Sequence, residues 1–549
     1  VCGHPLPEEG MAGERPAEDA GVYGGWGVLC SCQGVTNTGY QPQGEVSAKA
    51  QARKIIFIMT DTHRWDMLSS ITPEIKTPNL DRLAEEGVRF DRAYTVSPVS
   101  GPARSAIFTG LYPHTNASWG NDMPIADNVK TLGQRLSDNG YYCAYTGKWH
   151  LDGTDYFGNG ICPQGWDPEY FYDMRMYLEE LTREERIKSR LPETNKESIP
   201  GEFTYGHRVT ERALKFLESR TSDDAFFLTV SYDEPHHPFL CPEPYASMYK
   251  DYEWPKNPSH YDNLKNKPSY QQMWAEGRQF ENKDEMTIKH PYYFASLSFI
   301  DYEIGRLLKK IDELYPDALV IYTSDHGDFL NAHSLKSKGP CVYDDVSRVP
   351  FIVRWKGHVP SSLVTTTPIS LISVTPTILD AAGVTIPDVI EGSSILNTFT
   401  SPVDQPKKPV FMEFGRFEVD HDGFGAFQPL RAVFDGRYKL SVNLMSTDEL
   451  YDLEKDPYEL DNLINDDTHA VLRDSLHNLI LEHMNETRDP FRGVYWHARP
   501  WRKDFKSTWE YTEYTRARKT DGYNPRSLDY NTGLEVEKYS WPKQQDTKN

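Results

Sequence analysis

The chain has 549 residues, 38 % hydrophobic and 13 % aromatic, and its 81 acidic against 59 basic side chains give a formal net charge of −22. This composition excludes an unfolded chain, and the acidity excludes binding of nucleic acid or anionic membranes through the general surface. No apolar run approaches the roughly 20 residues of a membrane-spanning helix, so a soluble protein is expected, and the length calls for more than one small core.

Residues 1–52 are rich in Gly, Glu and Pro without hydrophobic periodicity. A poorly structured leader is expected there, with no signal-peptide pattern. From 53 to 404, short apolar runs alternate with amphipathic segments, as in an α/β sheet with helices on both faces. Strands are expected at 54–59, 225–231, 318–323 and 349–354. Val209, Ala213, Phe216 and Leu217 repeat at helical spacing, as do Phe294, Leu297, Ile304, Leu308 and Ile311. Pro376 to Ala382 reads as a helix closed by Gly383. From 405 to 549 come strand-like segments at 431–434 and 438–442, a helix near 466–484 and an aromatic-rich tail, expected to form a second subdomain. Seven cysteines show no zinc spacing beyond Cys30-x-Cys32, which leaves the redox compartment open.

Five motifs punctuate this pattern. The strand Ile55–Met59 runs into Asp61, Thr62 and Arg64, and an Asp at the carboxyl end of a buried strand is where open α/β sheets place their chemistry. Ser100-Gly-Pro-Ala-Arg104 is followed by Thr109-Gly110. Arg104 falls one helical turn from Ser100, and a helix opening near Pro102 would point its amino end at an anion. Next come Gly147-Lys148-Trp149-His150 and Pro235-His236-His237-Pro238-Phe239. The last is Ser324-Asp325-His326-Gly327-Asp328, running on through His333, Lys338 and Cys341 to Arg348-Val349-Pro350. Each alone describes an ordinary turn or polar loop. Together they place Lys, Arg and His at strand ends of an acidic protein, a local site for an anion, beside carboxylates that suit a hard cation such as Ca²⁺ or Mg²⁺.

In this order the five motifs resemble those of type I sulfatases of the alkaline phosphatase superfamily, across roughly residues 53–480. The resemblance implies a large, mixed, mostly parallel central sheet flanked by helices, with a smaller C-terminal α+β subdomain built on an antiparallel sheet. It implies that a maturase oxidises Ser100 to formylglycine. Asp61, Asp325, His326 and residue 100 would hold Ca²⁺, or Mg²⁺, with Thr62 either a further ligand or packing behind the set. Arg104 would stay near position 100 and fix the group there, Lys148, His150, His236 and Lys338 would bind the sulfate and move protons, and Asp325 would activate the attacking hydroxyl. Arg64, His237 and Cys341 are expected at the substrate, Arg64 with a structural role as the alternative.

The expected substrate is a sulfated carbohydrate, then a simple aryl or alkyl sulfate. A phosphate or phosphonate ester hydrolase of the same superfamily is the first alternative. A relative with unmodified Ser100 that only binds sulfated glycans is the second. Tyr245, Tyr249, Tyr252, Trp254, Tyr261 and Trp274 would either stack on sugars or cover hydrophobic surface, and Arg492, Tyr495, Trp496, Arg499 and Trp501 invite the same two readings. Export from the cytoplasm is expected by resemblance alone, and the oligomeric state has no signal in the sequence.

Overall fold

Strands buried on both faces need apolar side chains at nearly every position, and five central runs of this chain meet that demand. The computed structural model describes residues 51–153, 156–254, 256–275, 291–402, 407–417 and 427–503. The expected leader, except for its last two residues, and the tail beyond 503 lie outside them. The main sheet comprises Lys54–Thr60 (β1), Val88–Phe90 (β2), Tyr142–Gly147 (β3), Phe226–Ser231 (β4), Leu319–Ser324 (β5), Phe351–Arg354 (β6) and Leu363–Thr365 (β7). Their order is β3-β4-β1-β5-β6-β2-β7. Pairing is parallel from β3 through β5; β6 runs against both β5 and β2, and β7 is parallel to β2. This is the mixed, mostly parallel sheet expected from the sequence.

The strand period of two divides β1 between two cores. Ile56 and Ile58 join one cluster with Val209, Phe216, Leu297 and Ile304. Ile55, Phe57 and Met59 join the other with Ile107, Phe108, Ile378 and Leu379. The first face is covered by Tyr205–Ser219 (α2) and Pro291–Leu314 (α3), the second by Ser100–Thr109 (α1) and Val374–Ala381 (α4). Each fully buried aliphatic or aromatic side chain contributes about 1.5–3 kcal/mol, so both faces are strongly held. Thr204 caps α2 by accepting from the His207 amide. Gly110 ends α1 in the left-handed conformation, φ 69°, where a Cβ would stand 2.8 Å from Ile390.

The second sheet is antiparallel: Val410–Arg416 (β8), Phe427–Phe434 (β9), Tyr438–Asn443 (β10) and Glu449–Asp452 (β11), in sequential order. Leu476, Ile480 and Met484 of the helix Ala470–Glu486 (α5) pack on Val433, Leu440 and Leu450. Four of the aromatic side chains between 245 and 274 cover hydrophobic surface. Tyr249, Tyr252 and Trp254 pack on Phe294 of α3, and Trp274 packs on Phe329. Trp496 is buried under α5, and Arg499 is paired with Asp448.

Candidate active site

Four adjacent parallel strands end level with one another, Gly147 opposite Ser231, Ser231 opposite Met59, and Thr60 opposite Ser324. The residues that leave these ends are Lys148 and His150 after β3, Asp233 and His236 after β4, Asp61 after β1, and Asp325 and His326 after β5. Helix α1 delivers Ser100 in its first turn. Lys338 arrives from the long connection between β5 and β6. The carboxyl edge of the sheet thus gathers five motifs spread over nearly 280 residues of chain.

Ser100 is fully buried. Its Oγ lies 2.9 Å from His326 Nε2 and accepts from Lys338 Nζ at 2.8 Å. His326 Nδ1 lies 2.8 Å from the Gly327 carbonyl, which can only accept, so Nδ1 carries the proton and Nε2 turns a lone pair toward Ser100. Lys148 Nζ is 2.8 Å from Asp61 and 3.1 Å from Asp233. Lys338 Nζ also reaches His326 Nε2 at 3.0 Å and Asp61 at 3.8 Å.

Arg104 acts one layer deeper than its spacing implied. Its fully buried fork donates to Asp325 at 2.9 Å, Asp61 at 3.2 Å, the Lys148 carbonyl at 2.8 Å and Ser231 Oγ at 2.8 Å, with no bond to Ser100. It clamps the two carboxylates and the turn that carries Lys148. The Gly101 amide at the start of α1 donates to Asn121 Oδ1 at 2.9 Å, which occupies one of the free helix-terminal donors.

Asp61 and Asp325 share a dry pocket with unequal consequences. Burial raises the proton affinity of both. At Asp61 it is outweighed by Lys148, Lys338 and His236, and its pKa is held well below the usual range. Burial and then the Asp61 charge push Asp325 up to about 7, against Arg104 and Lys338. One oxygen of each and one nitrogen of His326 lie within 4.8 Å of one another. Two carboxylates crowded with a lone pair and the Ser100 hydroxyl fit a divalent cation, which would relieve their repulsion. Thr62, at φ 72°, donates its hydroxyl to Asp61 at 2.6 Å and its amide to Asp325 at 3.2 Å. These two bonds orient both carboxylates. A second cluster, His114, Glu413 and Asp489, already holds a cation, because Arg431 Nε stands 2.6 Å from Asp489 and 3.8 Å from Glu413.

His236 is half-buried, and burial followed by the charges of Lys148 and Lys338 brings it down to about 3. Its Nδ1 lies 2.9 Å from the His237 carbonyl and 2.9 Å from Tyr156 Oη. His150 is buried with no partner for Nδ1 among the described residues, and burial and Lys148 keep it neutral.

Two residues of the site carry no motif of their own. Asp233 pairs with Lys148 and accepts from the Tyr156 hydroxyl. The Tyr156 ring lies 3.9 Å from Lys148 Nζ and packs against His150 and His236. Asp233 leaves the end of β4 as Asp61 leaves β1, so the strand-end rule would have found it. Tyr156 sits in an unpatterned loop.

Of the three residues expected at the substrate, Arg64 and Cys341 are placed otherwise. Arg64 is consumed by Asp66 at 2.7 Å, Asp345 at 2.7 Å and the Phe329 carbonyl at 3.1 Å, which is its structural alternative. Cys341 is 1 % exposed among Trp274, Phe329, Leu335 and Tyr343. It is a core residue, and burial pushes its thiol well up. His237 is exposed, with its ring against Phe239 and its carbonyl on His236.

A family model for sulfatases matches residues 53–384, and one for the C-terminal part of N-sulphoglucosamine sulphohydrolase matches residues 337–486. The chain is 41 % identical over 487 residues to the uncharacterized sulfatase YidJ of Escherichia coli K12, covering 87 % of this chain and 96 % of the relative. It is 28 % identical over 514 residues to an N-acetylglucosamine-6-O-sulfatase of Bacteroides thetaiotaomicron, covering 79 % and 87 %. An enzyme solved in complex with its substrate D-glucosamine-2-N,6-O-disulfate matches with a TM-score of 0.66 at 21 % identity, over 80 % of this chain and 99 % of the other. A phosphonate monoester hydrolase from Silicibacter pomeroyi matches with a TM-score of 0.67 at 22 % identity, over 79 % and 96 %. The two solved structures speak to the fold. The breadth of the family match, and the identity to the Escherichia coli relative over nearly its whole length, make this chain a member of the sulfatase family, the hydrolases of sulfate esters.

Proposed function

We propose that the protein removes sulfate from a sulfated carbohydrate, with Ser100 matured to formylglycine and a divalent cation held by Asp61, Asp325, His326 and residue 100. The observation that carries this reading is the Ser100 hydroxyl held by Lys338 and facing the His326 lone pair, on a floor of two buried carboxylates walled by Lys148 and His236. The sugar substrate is supported by the relative named for N-acetylglucosamine 6-O-sulfate and by the glucosamine disulfate complex. Export remains part of this reading by resemblance.

Formylglycine supplies a geminal diol, one hydroxyl to attack sulfur and a second through which sulfate can later be expelled; the cation supplies positive charge at the attacking oxygen. The rest falls to the chain's own residues. Lys148 and Lys338 bring two ammonium groups to the sulfate oxygens, where charge accumulates as the ester bond breaks. His236 lines the same pocket with its Nδ1 proton on a carbonyl, so Nε2 holds a lone pair and can protonate the leaving oxygen only after taking up a proton, such as the one lost by the attacking hydroxyl. His150, neutral and unpartnered at Nδ1, is the open acceptor for the proton released when sulfate departs. Arg104 and Thr62 hold both carboxylates in place.

The test is a comparison of kcat/KM on 6-O-sulfated N-acetylglucosamine, 4-nitrophenyl sulfate and a phenyl phosphonate ester, with and without chelator. Sulfate esters should be preferred, and chelation should abolish turnover. A preference for the phosphonate would move the protein to the phosphonate hydrolase reading, and turnover indifferent to chelation would remove the metal.

A further inference from the structure

Arg190 precedes the short 3-10 segment Pro192–Glu197 and lines a pocket of about 20 Å³ beside His236. Its guanidinium carbon stands 5.4 Å from the centre of the Tyr156 ring and 5.1 Å from that of Phe157. The same Tyr156 ring carries Lys148 Nζ 3.9 Å from its centre, and its hydroxyl lies 2.9 Å from His236 Nδ1. One phenol ring therefore joins the sulfate-binding lysine to a second cation.

That second cation has no direct ion pair among the described residues, although its charge reaches Asp233, which lines the same pocket. Among the described residues its polar contact is Met174 Sδ, 3.6 Å from Nη1, and it forms no ion pair with any carboxylate. The contrast with its surroundings is plain, since Arg208 and Arg212 of α2 both pair with Glu180. In a protein of net charge −22, a half-buried arginine that pairs directly with no acid among the described residues, beside a reaction pocket, has a charge to offer. A guanidinium stacked on aromatic faces keeps its N–H edge free for the two oxygens of a carboxylate or sulfate. The pocket itself has room for only about one water, so such an anion meets Arg190 from the solvent side.

We propose that Arg190 forms a subsite for a second oxyanion, a carboxylate or a further sulfate, on the substrate whose sulfate ester occupies the Ser100 pocket. The inference rests on the sulfatase reading of that pocket. It narrows the substrate class to sulfated saccharides that carry at least one more negative charge.

KM and kcat are compared for the wild type, Arg190→Ala and Arg190→Lys on four probes. These are 4-nitrophenyl sulfate, glucosamine 6-sulfate, glucosamine-2-N,6-O-disulfate, and a 6-sulfated hexosamine joined to a uronic acid. The wild type should favour one or both dianionic probes over glucosamine 6-sulfate. Arg190→Ala should raise KM for those alone by about ten- to hundredfold with little change in kcat, as expected for a lost charge-assisted contact, and Arg190→Lys should recover part of it. Which dianion responds distinguishes sulfate from carboxylate. A wild type without preference for either dianion, or an alanine variant that raises KM for all four probes alike, overturns the subsite. If the wild type hydrolyses none of the four, the sulfatase reading falls; if it hydrolyses them and the preference survives Arg190→Ala, only the subsite falls.

Discussion

Lys338 is the cation nearest the nucleophile, 2.8 Å from Ser100 Oγ, while its nearest acid, Asp61, is 3.8 Å away. Its charge is therefore directed at the reacting group more than at the fold. Lys338→Ala should lower kcat on a sulfate ester by about 10²–10³-fold and leave the thermal midpoint nearly unchanged; steady-state kinetics with a melting curve checks both. Lys148 differs, because it also neutralises Asp61 and Asp233, and its removal would cost stability as well as rate. Tyr156→Phe removes the hydroxyl shared by Asp233 and His236 but keeps the ring under Lys148. It should reduce kcat several-fold and alter the pH profile of kcat, with KM little changed; an unaltered profile would restrict Tyr156 to packing. At this scale Asp61, His236 and Asp325 were legible because each follows a strand that announces itself by an apolar run, whereas Lys148 was legible only through its motif, since the strand before it, Tyr142–Gly147, was not expected. Tyr156 was not, since a tertiary contact across a loop leaves no local pattern. Cys341 misled because motif position alone does not say which way a side chain faces.

At the scale of elements, the site depends on how closely β3 and β4 approach where Lys148 leaves the sheet. Gly147, at φ 115°, sits so near its neighbour that a Cβ would stand 1.8 Å from the Ser231 carbonyl oxygen. Gly140, at φ 83° in the turn before β3, has nothing within 4 Å of its virtual Cβ. Gly147→Ala should therefore lose about 2–4 kcal/mol through strain and crowding, and activity with it as Lys148 is displaced. Gly140→Ala should lose only the left-handed penalty of about 1–2 kcal/mol and keep activity. Urea unfolding of the pair, with an activity measurement on each, decides; equal effects would contradict the packing argument. The strands expected at 54–59, 225–231 and 318–323 appear within a residue of their observed bounds. Both faces of these strands are buried, so a continuous apolar run marks each end sharply. The expected strand at 349–354 is broken at Pro350, which lacks the amide a sheet ladder needs.

At the scale of the molecule, buried ion pairs tie the antiparallel sheet to the rest of the chain. Glu413 of β8 meets His114, four residues beyond the Gly110 cap, and Lys439 of β10 meets Asp344 at 2.6 Å and Glu459 at 3.0 Å. Burial alone would raise Glu413, but His114 and Arg431 hold it down to about 2 from the ordinary glutamate value of 4.5. Burial alone would lower His114, but Glu413 overcomes this and raises it above 6.5. The Glu413 contribution to stability is therefore present above pH 4.5 and lost as the pH falls toward 2. The His114 contribution is present below pH 6.5 and lost as the pH rises through its raised value. Glu413→Gln should thus be most destabilising between pH 4.5 and 6.5, with its deficit shrinking toward pH 2; unfolding curves across this range check it. A deficit that stays constant with pH would contradict the pair. None of these partners is near the other in sequence, which is why the sequence revealed both layers but not their fastening.

The central claim is that Ser100 is converted to an aldehyde in a sulfatase site, and the mass of the tryptic peptide Ala93–Arg104, from active protein made in its native host, tests it most directly. A peptide lighter by two hydrogens than its unmodified sequence, or the corresponding hydrate, is the predicted result. An unmodified serine in a preparation that hydrolyses sulfate esters at full rate would contradict it.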